Sequence, residues 1–394
     1  MAQRKKSKIC IIGGGLTGLT TAALCEAAHL DYVLIESQSE LGGLLKGQLE
    51  ESFWLDYGLK TIPVGPDISS NPLLKLRTDL ELNVAVETLT EPPKVFSPSG
   101  FGAFMGFGEA KNRFLVEELG YYTETPRLMV SGGWHQLTEE LIKKIPADRI
   151  LKNSFVTKII TQEDTVTSVI LNGEHAFMAE SFVFTLSPAC LKDLIEPGVV
   201  SAKTFQRIAR TTPLTAVSLD IATDKKITAD KNLFVFQENS KEKGHDPFFM
   251  IGQFVSNADP LRQHPTLQFS TWMTFVDPES LEDDENASKT IKTMKKLIKK
   301  AFPSLVEGKP WERLLVVPDA LGKFESMTLE KNQTLPGLNN LWVSGGKGSG
   351  DLRNIGAAIQ AATQVVPHLI SEADNKTDAT NLESKNTELT PPLP

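Results

Sequence analysis

Three glycines near the amino terminus, Gly13, Gly15 and Gly18, stand in the order G-x-G-x-x-G, with Leu16 and Thr17 between the second and the third. At this spacing the first glycine permits a tight turn and the second lets the main chain approach a diphosphate. The third lets a helix pack closely on a strand, and the phosphates rest on the helix N-terminus. Glu36 lies close to the ~20-residue offset at which an acid accepts ribose hydroxyls. An acid there disfavours a 2′-phosphate, so NADP is the poorest candidate among the dinucleotides. Gly42 and Gly43 come a few residues later, where backbone N–H groups can again meet phosphate. Taken alone, the motif could equally be a glycine turn with no ligand, so its surroundings decide.

Those surroundings have the required pattern. Lys8 to Ile12 is a short β-branched run, Leu19 to Ala28 has helical character, and Tyr32 to Ile35 reads as a second buried strand ending at Glu36. Residues 37–127 are irregular, with helices expected near Leu73 to Leu80 and Ala110 to Leu119. Ser131 to Ile145 reads as a helix approached through Gly132 and Gly133. Ile150 to Val169 reads as alternating strands broken by the turn at Gln162 to Asp164. From about Thr211 to Leu321 several β-rich runs separated by polar turns predict a mostly antiparallel sheet. Within that stretch Asn286 to Phe302 keeps helical apolar spacing while six lysines take the other faces. Leu338 to Val343 returns to a buried strand, followed by the glycine-rich turn Gly345 to Gly350 and an Ala-rich helix from Gly356 to Leu369. The polar residues 371–394 read as a disordered tail.

Composition narrows the function. The chain has 394 residues and a net charge of −8, which argues against a protein built to neutralise nucleic-acid phosphates. Cys10, Cys25 and Cys190 form an odd, scattered set, and the six histidines show no metal-binding spacing, so neither a disulfide framework nor a metal site is expected. No segment offers the ~20 apolar residues of a bilayer span. The basic start runs into only four apolar residues before the glycines, too few for a secretory signal. A reducing, cytoplasmic setting fits these features.

FAD and NAD are separated by the residues just beyond Glu36. The segment Ser39-Glu40-Leu41-Gly42-Gly43 makes the amino-terminal region resemble the flavin-containing amine oxidase superfamily, which includes protoporphyrinogen oxidase and phytoene desaturase. Asp56-Tyr57-Gly58 is similar to the D-x-G of that family, and Gly132-Gly133 with Leu137 to its G-G-x-x-x-L. Ser154 to Ile159 resembles the strand whose valine, here Val156, meets the adenine. Asn340 to Gly346, followed by Gly356-Ala357-Ala358, resembles the stretch that contacts the ribityl chain and flavin ring. The resemblance covers about 340 residues and implies FAD, held by Gly13, Gly15, Leu16, Thr17, Gly18, Glu36, Gly42, Gly43, Val156, Gly345, Gly346, Arg353 and Asn354. Some relatives attach the flavin through a cysteine near the C-terminus. This chain has none after Cys190, so noncovalent FAD is implied.

Two positions depart from the pattern: Leu44 stands where many relatives carry an arginine, and Gly346 or Lys347 where an acid is common. Lys60 occupies a place where relatives often carry a polar or His side chain near the flavin, which makes it the candidate catalytic group, a surface lysine being the alternative. The tract Gly100 to Gly108, with Phe101, Phe104, Met105 and Phe107, is either the wall of an apolar channel or simple packing. The lysine-rich helix is either a solvated face or a peripheral membrane contact.

The expected architecture is an α/β fold. A Rossmann-like FAD-binding domain from residues 1–66, 131–205 and 318–370 interleaves with a smaller substrate domain from 67–130 and 206–317, built on a mostly antiparallel sheet. The expected activity is that of an FAD-dependent oxidoreductase taking a hydride equivalent from a C–N or C–C bond of a small molecule. The alternatives are a reduced-flavin mutase of the UDP-galactopyranose mutase kind and a catalytically silent dinucleotide binder.

Overall fold

The computed structural model describes residues 6–50, 53–108, 113–210, 212–238, 247–323, 334–344 and 354–387 of the chain. Four short apolar runs, Ile9–Ile12, Tyr32–Ile35, Ser181–Phe184 and Leu341–Val343, are buried along their whole length, as strands covered on both faces must be. With Ile150–Leu151 they form a five-stranded sheet whose pairings are all parallel. Numbered in chain order its strands run 3-2-1-4-5. This is a doubly wound arrangement, and its order reverses between the first strand and the fourth. The helix Leu16–Ala27 covers one face together with the last helix, whose Ile355, Ile359, Val365 and Leu369 share a core with Leu16, Leu19 and Ala23.

The β-rich middle of the chain folds into a seven-stranded sheet. Its strands run Trp311–Lys323, Thr212–Thr223, Gln268–Val276, Phe248–Gln253, Phe234–Glu238, Lys94–Ser97 and Gly100–Ala103. All pairings are antiparallel except that of Phe234–Glu238 with Lys94–Ser97, so the mostly antiparallel reading holds. Strand alternation gives the sheet two apolar faces. One carries Val217, Leu219, Ile221 and Trp272 and is covered by Met294, Leu297 and Ile298 of the helix Asp284–Ala301. Lysines on that helix pair with acids at its borders, Lys295 with Glu312 and Lys296 with Glu238. The other face carries Ala216, Ala222, Met273 and Phe275 and packs against Leu59, Tyr121 and Tyr122.

Two smaller units in the region read as irregular were not anticipated. One is the hairpin of Gln48–Glu50 with Phe53–Leu55. The other is a three-stranded antiparallel sheet of Ile62–Pro63, Arg127–Val130 and Val86–Leu89. Strands of two to four residues carry too little period for recognition from sequence. The antiparallel sheet Val156–Gln162, Thr165–Leu171 and His175–Met178 does follow the expected alternation and its turn. The last helix runs from Asn354 to Thr387, past the point where polarity suggested disorder. Helical propensity of residues such as Ala, Glu and Lys needs no buried face, and Glu372 is anchored by the Ser181 hydroxyl at 3.1 Å. Among the described residues no helix is long and apolar enough to cross a membrane.

Arg127, in the three-stranded sheet, is fully buried, and none of its guanidinium nitrogens has a hydrogen-bond partner among the described residues. Burial pushes its pKa down to about 10, opposed by Glu91. The penalty is complete below that value, hence at neutral pH, and amounts to about 3 kcal/mol. Arg127→Met is therefore expected to raise the unfolding free energy at pH 7 by about 1–3 kcal/mol, because a buried charge without hydrogen bonds gives way to an apolar side chain of similar length. Urea titration reads this directly, and a drop in stability would contradict it.

Candidate active site

The glycine turn leaves the first strand of the parallel sheet at the point where strand order reverses, the crevice in which doubly wound folds bind ligands. Each glycine has its own physical reason. Gly13 adopts φ +107°, and a Cβ on it would lie 2.6 Å from Leu186 Cδ2 across the crevice. A Cβ on Gly18 would lie 1.8 Å from the carbonyl oxygen of Gly13, which is the close helix-to-strand approach expected of the third glycine. Gly15 is different, since among the described residues nothing lies within 4 Å of where its Cβ would be. It also begins the helix Leu16–Ala27, which no side chain caps. The opposite wall is set by Thr185, whose hydroxyl donates to the carbonyls of Ile12 and Gly13 at 2.8 and 3.1 Å.

Glu36 stands at the carboxyl end of the second strand. Its Oε2 accepts the Gly14 N–H at 2.7 Å, and its Oε1 accepts from the Gln38 N–H and the Ser37 hydroxyl. A carboxylate has about four lone-pair sites, so capacity for hydroxyl donors remains. The Ser154 N–H donates to the main-chain oxygen of Glu36, which brings Val156, buried at the start of its strand, alongside the acid. Gly42 and Gly43 return to the turn. The Gly42 N–H donates to the Gly14 carbonyl at 2.8 Å, so this contact, rather than a phosphate, takes that donor. A Cβ on Gly43 would sit 3.1 Å from Gly15 Cα. Leu16 and Thr17 are buried in the first turn of the helix. Leu44, in place of an arginine, is 41% exposed. Asn354 opens the last helix, while Gly345, Gly346 and Arg353 lie outside the described residues.

Asp56 and Gly58 lie in the turn leading away from the hairpin. Gly58 has φ +77°, and a Cβ there would meet Met273 Sδ at 2.7 Å, with Ser218 Oγ 3.7 Å away. The D-x-G glycine thus lets this turn lie flat on the seven-stranded sheet. Lys60 comes next. It is half-buried, its Nζ donates to the Tyr57 carbonyl at 2.7 Å, and burial pushes its pKa down to about 8 against the pull of Asp56. The indole N–H of Trp134 donates to the Lys60 carbonyl at 2.9 Å. Beside the turn lies a recess of about 370 Å³, lined by Trp54, Tyr57 and His135 among others, in which the Trp54 and His135 rings stack at 3.9 Å. The glycine-aromatic tract divides. Phe107 joins the sheet face that meets Leu59, while Phe101 packs with Phe234 and Phe302 and Met105 is exposed.

Sequence reading missed a buried group of charges around Asp56. Arg262 lies 2.8 Å from Asp56 and 2.7 Å from Asp259, and Arg313 lies 2.8 Å from Asp220. Asp220 alone had a signal, an acid inside an apolar strand, which has to be paired once buried.

Comparison with known proteins gives two matches to family profiles. An NAD(P)-binding Rossmann-like domain matches residues 11–75, and a flavin containing amine oxidoreductase matches residues 96–319, more than half of the chain. Among solved structures, an oxidoreductase from Methanosarcina mazei is 17% identical with a TM-score of 0.67, covering 91% of this chain and 100% of that one. Putrescine oxidase bound to putrescine is 12% identical with a TM-score of 0.65, covering 93% and 99%. Reduced UDP-galactopyranose mutase is 12% identical with a TM-score of 0.58, covering 79% and 81%. At these identities the likeness is one of fold.

Proposed function

Since the chain belongs to the flavin containing amine oxidoreductase family, we propose that it holds FAD noncovalently and takes a hydride equivalent from a C–N or C–C bond of a small molecule. The observation that carries this reading is the open space over Gly15 at the reversal point of the parallel sheet. Gly13 and Gly18 fix the turn, Glu36 would offer its carboxylate to a ribose, and Val156 would meet the adenine. Ser344 stands at the carboxyl end of the fifth strand with a buried hydroxyl that has no partner among the described residues, as a group waiting for a polar ligand would have. Residues 1–66, 131–205 and 318–370 would make up the cofactor domain and 67–130 and 206–317 the substrate domain. The substrate would lie beside the Asp56–Lys60 turn.

Bound FAD supplies the electron acceptor, and the protein supplies orientation and proton handling. With a pKa of about 8, Lys60 exchanges a proton at Nζ within the working pH range. As a base it acts when neutral, so flavin reduction should rise with pH through about 8.

A visible spectrum of the purified protein with added FAD is the first test, and a protein that stays colourless rejects the reading. Anaerobic photoreduction is the second. Rapid reoxidation by oxygen supports an oxidase, whereas turnover confined to the reduced form supports a mutase. Lys60→Met should slow flavin reduction by about 100-fold or more and remove the pH limb. An unchanged rate takes Lys60 out of the mechanism.

A further inference from the structure

The turn from Asp56 to Lys60 is held at both ends by groups far away in sequence. Asp56 is buried. Its Oδ2 pairs with Arg262 Nη1 at 2.8 Å, its Oδ1 accepts the Trp134 N–H at 2.9 Å, and its main-chain oxygen accepts from Arg313 Nη2 at 2.9 Å. Behind these stand two further acids. Arg262 Nε donates to Asp259 Oδ2 at 2.7 Å, and the same oxygen accepts the Gly132 N–H at 2.8 Å. Arg313 Nε donates to Asp220 Oδ2 at 2.9 Å, while Asp220 Oδ1 accepts the Thr271 hydroxyl at 2.6 Å. Both arginines belong to the seven-stranded sheet or to the connection between two of its strands, Phe248–Gln253 and Gln268–Val276.

We propose that Arg262 is a positioning residue of the active site, holding Asp56 and thereby the turn that presents Lys60 to the flavin crevice. The proposal rests on the reading of Lys60 as the proton carrier. Its basis is geometric. Arg262 uses two edges of one planar guanidinium to join two carboxylates, which a lysine ammonium cannot reproduce. Three carboxylates and two guanidiniums leave one negative charge in this buried group, and the Lys60 ammonium is a nearby cation that balances it. His135, stacked on Trp54, also titrates in this field: burial pushes its pKa down, Glu139 and Asp56 pull it up, and Arg262 pushes it down. The strength of the Arg262–Asp56 pair therefore sets how much of the Asp56 charge reaches Lys60.

The test titrates Lys60 directly in FAD-loaded protein carrying 13C-labelled lysine, alongside the pH dependence of flavin reduction. Arg262→Gln leaves Asp56 without its main cation and should move the Lys60 titration up by about one pH unit, while Asp56→Asn should move it down by a similar amount. General loosening of the fold would not displace one titration in opposite directions from the two ends of a single ion pair. Identical or same-sign responses overturn the proposal. If Arg262→Gln fails to fold, Asp259→Asn carries the test with the opposite sign. Released from Asp259, Arg262 acts wholly on Asp56, Lys60 should titrate lower, and an unmoved titration rejects the idea. Failure of the underlying reading looks different: the nuclear resonance titration still shifts, but flavin reduction in the Lys60→Met protein stays at the parent rate.

Discussion

Gly15→Ala should give a protein that folds as well as the parent or slightly better and yet stays pale in FAD, whereas Gly18→Ala should be both pale and unstable. The two glycines sit three residues apart and differ in what a methyl group would meet. At Gly15 the backbone is φ −76° and ψ −172°, conformations open to any residue, and no described residue fills the space. Alanine there reduces the freedom of the unfolded chain, which contributes about 0.5 kcal/mol to stability, but its methyl group occupies the approach to the diphosphate. At Gly18 the methyl group would lie 1.8 Å from the Gly13 carbonyl oxygen. That carbonyl cannot simply yield, because Thr185 donates to it and the Gly13 N–H is bonded to the Ile35 carbonyl at 2.8 Å. The helix would have to move away, at a cost of about 3 kcal/mol. FAD titration followed by absorbance, with chemical denaturation of the same samples, separates the cases. Displacements near 1 Å cost about 100-fold in function, so both variants should lose at least that much affinity. Equal stability of the two variants would refute the assignment of one glycine to ligand and the other to packing.

The second large effect concerns Asp220 and Arg313. Both are buried, and Arg313 reaches from the sheet to the Asp56 carbonyl and to Gln48 Oε1 at 3.3 Å. Removing one partner strands the other charge away from water. Asp220→Leu should therefore lower the unfolding free energy by about 3–5 kcal/mol. Replacing both, Asp220→Leu with Arg313→Met, should recover much of that loss, since an apolar pair avoids the desolvation that the ions suffer. Urea unfolding of the parent, the single variants and the double variant gives the coupling. Additive losses would mean that the two side chains do not act as the unit their geometry implies.

Residues whose meaning is local were readable in the sequence. The strand-glycine-helix-strand unit ending at Glu36 is decided by neighbours within thirty residues, and the long strands of the second sheet announce themselves by alternation. The Asp56–Gly58 pair was legible only through resemblance, because the reason for its glycine, contact with Met273, comes from a strand more than two hundred residues away. Arg262 was not legible at all. It lies in a short turn, Pro260–Arg262, of ordinary composition, and its role exists only once the connection folds over Asp56. The three-stranded sheet around Arg127 escaped notice for the opposite reason, since its strands are too short to show a period and one of them begins with a charge that sequence alone would place in water.

The parallel sheet has a consequence for how the protein is made. Its fifth strand, paired through Leu341 with Phe182, and the helix that covers Leu19 are synthesised only some 330 residues after its first strand. Contacts of such long range form slowly. Until the last helix is made, the Leu16–Ala27 helix has only part of its apolar cover, that from residues such as Trp134, Leu137 and Leu141, so chaperone demand should fall on the nascent chain before residue 354 emerges.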